Sequence, residues 1–444
     1  FSVSVPAEPK KKRYECCGDT YWRQGRLAME QGLLVHFVCG ASVSAYRTMY
    51  LLIMKKYILV LFLAVAHQTF VGAEIVWNLL RMEQIREEGF ASEARIALVR
   101  AADMLLSQEP ISILAQRQSA PSGDVHDYYS MARYWWPNLE TADGLPYIRK
   151  DGIVNPATKG LGREALSNFK KQVEILSLAY FYTGEEVYAS KCADCLRAWY
   201  ITPQTRMNPN MSYSQVVLGR NNNKGRHEGV LDSYSMLFIP NVVSIMKKSP
   251  SWTEADTDSL RSWFRQYVDW LTRTPQAIEE DQCRNNHGTA YHVQLMVYAA
   301  FAGCDSLADV YRHSFTERRL IPQIRADGSQ PEELSRTRGF GYSVYNLTHI
   351  IDYVGACYAA GYPVLEQDTT ARTRIVAALD FLTPFLGKPV ESWPYQQIND
   401  WDKQQENLWW LLYRVETYFP ERNYAEVLAP YKNNIKTTNR RWLY

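Results

Sequence analysis

Two polar clusters interrupt sequence that otherwise reads as apolar helix. They are Arg284-Asn285-Asn286-His287-Gly288 and, further along, Glu333-Leu334-Ser335-Arg336-Thr337-Arg338-Gly339-Phe340-Gly341-Tyr342. Together they supply amides, an imidazole, guanidinium groups and a phenol. That set suits removal of a carbon-bound proton beside a carboxylate, as in a uronic acid linked through O4. Taking the C5 proton there creates a dianion-like enolate, which is prohibitive in water. A protein makes the step feasible by neutralising the carboxylate and placing a base at C5 and an acid at O4. Asn and Arg pair with carboxylate oxygens, and His donates to them. A tyrosine serves as base only where positive charge lowers its pKa from about 10. Arg336 and Arg338 lie close to Tyr342 in sequence, and on a helix positions 338 and 342 face the same way. Glu332 and Glu333 are adjacent and diverge on a helix, so one of them is expected to orient an arginine. A glycoside hydrolase of the inverting type would instead need two carboxylates about 6.5–9.5 Å apart across a groove. Asp232 and Glu333 are the candidates for that pair.

The elements that must hold these groups are helical. Phe169, Val173, Leu176, Ala179 and Tyr180 recur at three- and four-residue steps, as do Trp263, Tyr267, Trp270 and Leu271, and Ile350, Val354, Cys357 and Tyr358. Gly184, Gly303 and Gly361 each close a helical run with the residue that tolerates a left-handed cap. Alternating β-branched sequence is scarce. The spacing predicts an all-α chain, a ring of helical hairpins forming an α/α toroid with a groove at one end; a solenoid is the other arrangement it allows. Long irregular stretches, Ser119 to Gly162 and Thr202 to Asp232, are the natural lining of that groove. The first offers Tyr128, Trp135 and Trp136 as sugar-contacting aromatics. The second offers Asn208, Gln215, Arg220, Arg226 and His227 as donors to an anionic chain.

Composition narrows the class. A net charge of +2 over 444 residues argues against nucleic acid as the main partner. Met54-Lys55-Lys56, the apolar run Ile58 to Val65 and Val71-Gly72-Ala73 form a secretory signal peptide at 54–73, too short to be a confident membrane span. Residues 1–53 are then a doubtful upstream segment, and 74–444 one exported catalytic domain, periplasmic or secreted. Cys192, Cys195, Cys283, Cys304 and Cys357 remain in that domain, an odd count that supports no disulfide framework. Cys192-Ala193-Asp194-Cys195 has no second ligand pair nearby and reads as helix packing. No His, Asp and Glu cluster has zinc-motif spacing, so neither metal nor cofactor is expected.

Asn286-His287-Gly288, then Glu333-Leu334 with Arg336-Thr337-Arg338 and Tyr342-Ser343, and upstream Asp127-Tyr128 with Tyr134-Trp135-Trp136-Pro137, resemble the alginate-lyase-type polysaccharide lyases of α/α-toroid fold. The resemblance covers most of the chain after the signal peptide. It implies that Asn286 and His287 neutralise the substrate carboxylate, that Arg336 assists, and that Tyr342 is catalytic base and acid. Tyr345 and Arg338 match neighbouring positions that bind sugar or support Tyr342. The implied reaction is syn β-elimination on a 4-linked uronate polymer, poly-β-D-mannuronate (alginate) first and glucuronan as the alternative. One departure stands out: relatives often carry an aromatic three residues after the histidine, where this chain has Ala290. A non-catalytic glycan-binding protein would keep the aromatic loops without needing Tyr342 and His287 together.

The N-terminal reading has a direct check. Expression from Met54 should give an exported protein starting near Glu74, with activity equal to that of the longer form. An active native protein whose N-terminus is Phe1 by mass spectrometry would refute the signal-peptide assignment.

Overall fold

A computed structural model describes residues 77–87 and 92–434; the upstream segment 1–53 and the expected signal peptide lie outside the described residues. The principal helices begin with α1 Leu79–Glu87, α2 Ser92–Leu106, α3 Gly162–Thr183, α4 Glu186–Leu196, α5 Ile239–Met246 and α6 Glu254–Arg273. They continue with α7 Pro275–Asp281, α8 Asn286–Phe301, α9 Asp305–Phe315, α10 Gly339–Ala359, α11 Thr369–Leu382 and α12 Trp401–Val415. The three apolar stripes read from sequence fall in α3, α6 and α10. Gly184, Gly303 and Gly361 follow α3, α8 and α10 with φ of +75°, +77° and +75°, the left-handed geometry that suits glycine.

Consecutive helices pair as hairpins, α3 with α4 and α8 with α9, and the whole is an α/α toroid. Helix α8 packs against α6, α9 and α10, and every one of its residues except His287 is buried. A helix apolar on all sides has no solvent face and belongs to the inner layer. Much of the aromatic content fills helix contacts: Trp263 stacks on Tyr267 at 5.4 Å, and Tyr267 on Trp270 at 5.7 Å. Cys192 and Cys195 are buried free thiols on α4, where burial pushes the Cys195 thiol up to about 12, so they are packing groups. The stretch Asn221–Met246 is long and apolar enough to cross a membrane by composition, yet 72% of its apolar window is buried inside the protein.

The two long irregular stretches hold each other. Strand β1 (Tyr129–Met131) pairs in parallel with β4 (Tyr213–Val216), while β2 (Trp135–Trp136) and β3 (Ile148–Arg149) form an antiparallel pair. Asn208 Nδ2 donates to Asp124 and Asp127, each at 2.9 Å. Gln215 carries a φ of +50°, costly for a residue with a Cβ. Its backbone N–H donates to Ser130 Oγ at 2.8 Å and its Nε2 to Asp232 Oδ1 at 3.1 Å, which keeps it there.

One ion pair ties the end of α4 to the start of α6. Arg197 donates through Nε and Nη2 to the two oxygens of Asp256 at 2.9 and 2.7 Å, and Asp256 also closes a capping box with Thr253. The Arg197 hydrogen bonds, with those from Thr253, hold the Asp256 carboxyl down to about 2. Its stabilising contribution is therefore complete above about pH 4, the unfolded value, and is lost as pH falls through about 2. Asp256→Ala should cost on the order of 1–2 kcal/mol at neutral pH. Thermal melts should show the gap to wild type closing toward pH 2; a gap independent of pH would refute the linkage.

Candidate active site

The first turn of α8 starts the site. Its N-terminal N–H groups have no partner within the helix, and this helix begins inside the protein. Asn285 caps it, accepting from the His287 N–H at 3.1 Å. Glu333 accepts the Asn286 N–H at 2.6 Å and the Asn286 side-chain amide at 2.8 Å. Of Glu332 and Glu333, one is expected from the sequence to orient an arginine; Glu333 holds Asn286 instead and satisfies the free N–H of a buried helix start. Burial pushes the Glu333 carboxyl up to about 7, against the hydrogen bonds from Asn286 and the charges of His287 and Arg336.

His287 Nδ1 lies 2.6 Å from Oε1 of Glu280, a carboxylate with 0% exposure at the end of α7. Burial works against charge on this imidazole, but the Glu280 charge and hydrogen bond outweigh it and raise the pKa. Nδ1 is thus occupied, and Nε2 is the nitrogen left for the groove that His287 lines. Gly288 follows because nothing larger fits: a Cβ there would lie 2.0 Å from the Cys283 carbonyl oxygen. That contact is the physical reason for the third residue of Asn-His-Gly.

Helix α10 begins at Gly339, after Arg338, and this corrects the expected pairing of Arg338 with Tyr342. Residues 335–338 form a turn, so Arg338 swings to Asp400 (2.8 Å) and Arg336 takes the place beside the phenol. Arg336 Nη2 donates to the Tyr342 hydroxyl at 3.2 Å, with its guanidinium carbon 4.3 Å from the ring centroid. Asp151 pairs with Arg336 at 3.3 Å and accepts from Thr337 at 3.0 Å, fixing the turn. The expectation of a lowered tyrosine pKa is also corrected. Burial and Tyr134 push Tyr342 up to about 12, although the Arg336 charge works the other way.

These groups line one groove of about 770 Å³. Of the residues singled out in the sequence, Asn286, His287, Arg336, Tyr342, Tyr345 and Arg338 all reach it, and so do Trp135, Gln215 and Arg226. Five others do not. Tyr128 is in the core, donating to Asp232 at 2.9 Å, and Asn208 staples the loops. Trp136 points to the opposite side of its strand from Trp135, as alternation requires, and donates to the Ile153 carbonyl at 3.0 Å. Arg220 lies over the Trp135 ring at 5.1 Å. His227 contacts Glu280 at 2.8 Å, outside the groove lining. Asp232 and Glu333 are both committed: Asp232 accepts from Arg163, Tyr128, Ser130 and Gln215, and Glu333 from Asn286. Ala290 is wholly buried in α8.

Sequence reasoning missed Glu280, Tyr134 and Asp151. Glu280 sits seven residues before His287, in a separate helix with a turn between, so no helical spacing marks the pair. Tyr134 carried a signal, being next to Trp135, but its neighbour drew the attention. Among the described residues, His227, Glu280 and Cys283 also bring metal-type donor atoms within 4.8 Å of one another, a grouping that local spacing could not reveal.

Residues 113–393 match the family model described as alginate lyase. The fold is similar to that of an alginate lyase from Bacteroides ovatus, with a TM-score of 0.79, 37% sequence identity, and coverage of 84% of this chain and 99% of that one. A variant of alginate lyase A1-III complexed with a tetrasaccharide is similar in fold alone, with a TM-score of 0.52, 15% identity, and coverage of 78% of this chain and 87% of that one. No curated protein matches the chain by sequence.

The Glu280–His287 contact carries its own test. Glu280→Gln preserves shape and removes the charge that holds the imidazole. Turnover should fall on the order of 10²-fold, as for a group that positions another, with the thermal midpoint little changed. Wild-type turnover in the variant would show that the contact is packing only.

Proposed function

The chain belongs to the alginate lyase family and is a polysaccharide lyase; from there we propose that it is an exported enzyme cleaving 4-linked poly-β-D-mannuronate by syn β-elimination. The observation that carries the reading is the Arg336–Tyr342 pair facing the same groove as an imidazole tied to a buried carboxylate. In the proposed step, His287 and Asn286 neutralise the uronate carboxylate, with the Arg336 charge nearby. The ionised Tyr342 oxygen takes the C5 proton. The electron pair becomes the C4=C5 double bond, the C4–O4 bond breaks, and the same oxygen returns the proton to O4. One tyrosine suffices because in β-D-mannuronate the C5 proton and O4 leave from one face of the ring. Glucuronate shares that relation, so a glucuronan is the second substrate this reading allows. In guluronate the two leave from opposite faces, and a separate base would be needed. Arginines such as Arg133, Arg149 and Arg226 on the groove wall suit a polymer with one negative charge per sugar.

Asn286 uses a side-chain N–H on Glu333, and its side-chain oxygen is buried without a hydrogen-bond partner. In this reading a substrate carboxylate competes with Glu333 for that amide, and the raised Glu333 pKa eases the exchange, since a neutral carboxyl holds a donor less tightly.

The test is the ultraviolet absorbance of the unsaturated uronyl end, which elimination creates and hydrolysis or binding does not. Polymannuronate should be cleaved much faster than polyguluronate. Tyr342→Phe should lower turnover by on the order of 10²–10⁴ while binding persists. Because the phenol sits near 12 in the free protein, kcat/KM should climb with alkaline pH, by up to about tenfold per unit while Tyr342 alone limits. Efficient cleavage of polyguluronate, or substantial turnover by the Phe variant, would overturn the single-tyrosine mechanism.

A further inference from the structure

His227 opens a helical segment, His227–Met236, that overlaps the end of the second long irregular stretch, Glu280 lies at the end of α7, and Cys283 sits in the turn leading to α8. His227 Nδ1 is 2.8 Å from Glu280 Oε2 and 3.6 Å from Cys283 Sγ, and that sulfur is 3.9 Å from Glu280 Oε2. We propose that these three side chains form a binding site for one thiophilic divalent cation of the zinc class, and that its occupation inhibits turnover by drawing Glu280 away from His287.

The distances fit such an ion. Zinc bonds of about 2.0 Å to nitrogen and oxygen and about 2.3 Å to sulfur, at tetrahedral angles, place donors about 3.3–3.6 Å apart. The Cys283–His227 edge is already there, and the other two need shifts of roughly half an ångström, within reach of small side-chain rotations. A cation would replace the proton that now lies between His227 Nδ1 and Glu280. The donors' own partners are also in place. With a metal on Nδ1 the displaced proton leaves to solvent, and His227 keeps the proton on Nε2, which is 3.3 Å from Glu228 Oε2 and 3.6 Å from Glu279 Oε1. A carboxylate on the second nitrogen is the usual support of a metal-binding histidine.

Charge and ligand type select the ion. A thiolate and a carboxylate together cancel a dication, so no net charge is left in a cluster whose carboxylate has 0% exposure. Magnesium and calcium take six or more oxygens, and the three converging donors include one carboxylate; a nitrogen, a sulfur and an oxygen favour zinc or cobalt. The three protein donors leave one position for water.

Inhibition follows from Glu280 serving both groups. Its Oε2 faces the metal position and its Oε1 holds His287 Nδ1 at 2.6 Å. A bound dication takes over the carboxylate charge and weakens its hold on the imidazole. This consequence rests on the lyase reading above; the binding itself does not. Cys283 is absent from the groove lining, so removing its thiol should leave metal-free turnover unchanged.

The experiment uses the full chain stripped of metal by a chelator, then titrated with cobalt and displaced with zinc. One equivalent of cobalt should give a thiolate-to-cobalt charge-transfer band in the near ultraviolet, missing from Cys283→Ala and weakened in Cys283→Ser. Zinc affinity should fall at least about tenfold in Cys283→Ala. Zinc should also shield Cys283 from alkylation, read by peptide mass. In the elimination assay zinc should slow the wild type more than Cys283→Ala, whereas chelation by the polymer affects both alike. Equal cobalt spectra and equal zinc affinity in folded wild type and Cys283→Ala would overturn the site. Binding as described with equal zinc sensitivity of turnover would overturn the inhibition. If no polymer is cleaved at all, the cobalt titration still decides the site.

Discussion

A helix buried on every side must begin somewhere, and its first N–H groups must be satisfied without bulk water. Helix α8 meets that requirement with side chains. Asn285 takes the His287 N–H, and Glu333 takes that of Asn286. Much of the site follows from this. The Glu333 carboxylate brought in to satisfy the helix also grips the Asn286 amide, and α7 delivers Glu280 to His287 from the other side. Burial alone would discharge the imidazole, but the charge and hydrogen bond of Glu280 win, and its pKa rises. The helix start that closes the inner layer is also the place where positive charge is held against the groove.

The opposite wall rests on a second constraint. Gly339 and Gly341 open α10 where backbone and Gln404 press close: a Cβ on Gly339 would come within 3.2 Å of the Leu334 carbonyl, and one on Gly341 within 3.0 Å of Gln404. The turn before them cannot be helical if Arg336 is to fold back over Tyr342. Asp151, from the first long irregular stretch, holds it there. Loop and helix therefore define the tyrosine's surroundings jointly. That stretch is braced in turn by the second one, through β1–β4 pairing and the Asn208 contacts.

The balance of charge in the groove is a compromise. Tyr342 is the natural proton carrier, yet burial and Tyr134 keep its phenol neutral, and Arg336 offsets this only in part. A neutral phenol beside a charged imidazole leaves one ion fewer out of water than a phenolate would. The ionised form has to be reached against that preference, so the site holds its base in reserve.

Local pattern was enough for a good deal. The stripes of Phe169, Trp263 and Ile350 and the glycines at 184, 303 and 361 read as helical hairpins because helical periodicity and left-handed caps are short-range properties, carried by residues within a turn or two of each other. The residue types of Asn286, His287, Arg336 and Tyr342 announced the chemistry for the same reason: a donor set is visible in composition. Direction was not. Trp136 and Tyr128 have the same chemistry as Trp135 and Tyr345, but a strand's alternation and the core claimed them. Partnership was not visible either. Arg338 gave way to Arg336 because the helix began one residue later than the pairing needs, and Glu333 went to Asn286 rather than to an arginine. Glu280 reaches His287 across a turn between two helices, and the His227–Glu280–Cys283 cluster forms only when the segment of His227 packs against that turn. A sequence lists which groups are available, whereas which of them share a desolvated space, and so which charges must be balanced together, is decided only when distant segments pack.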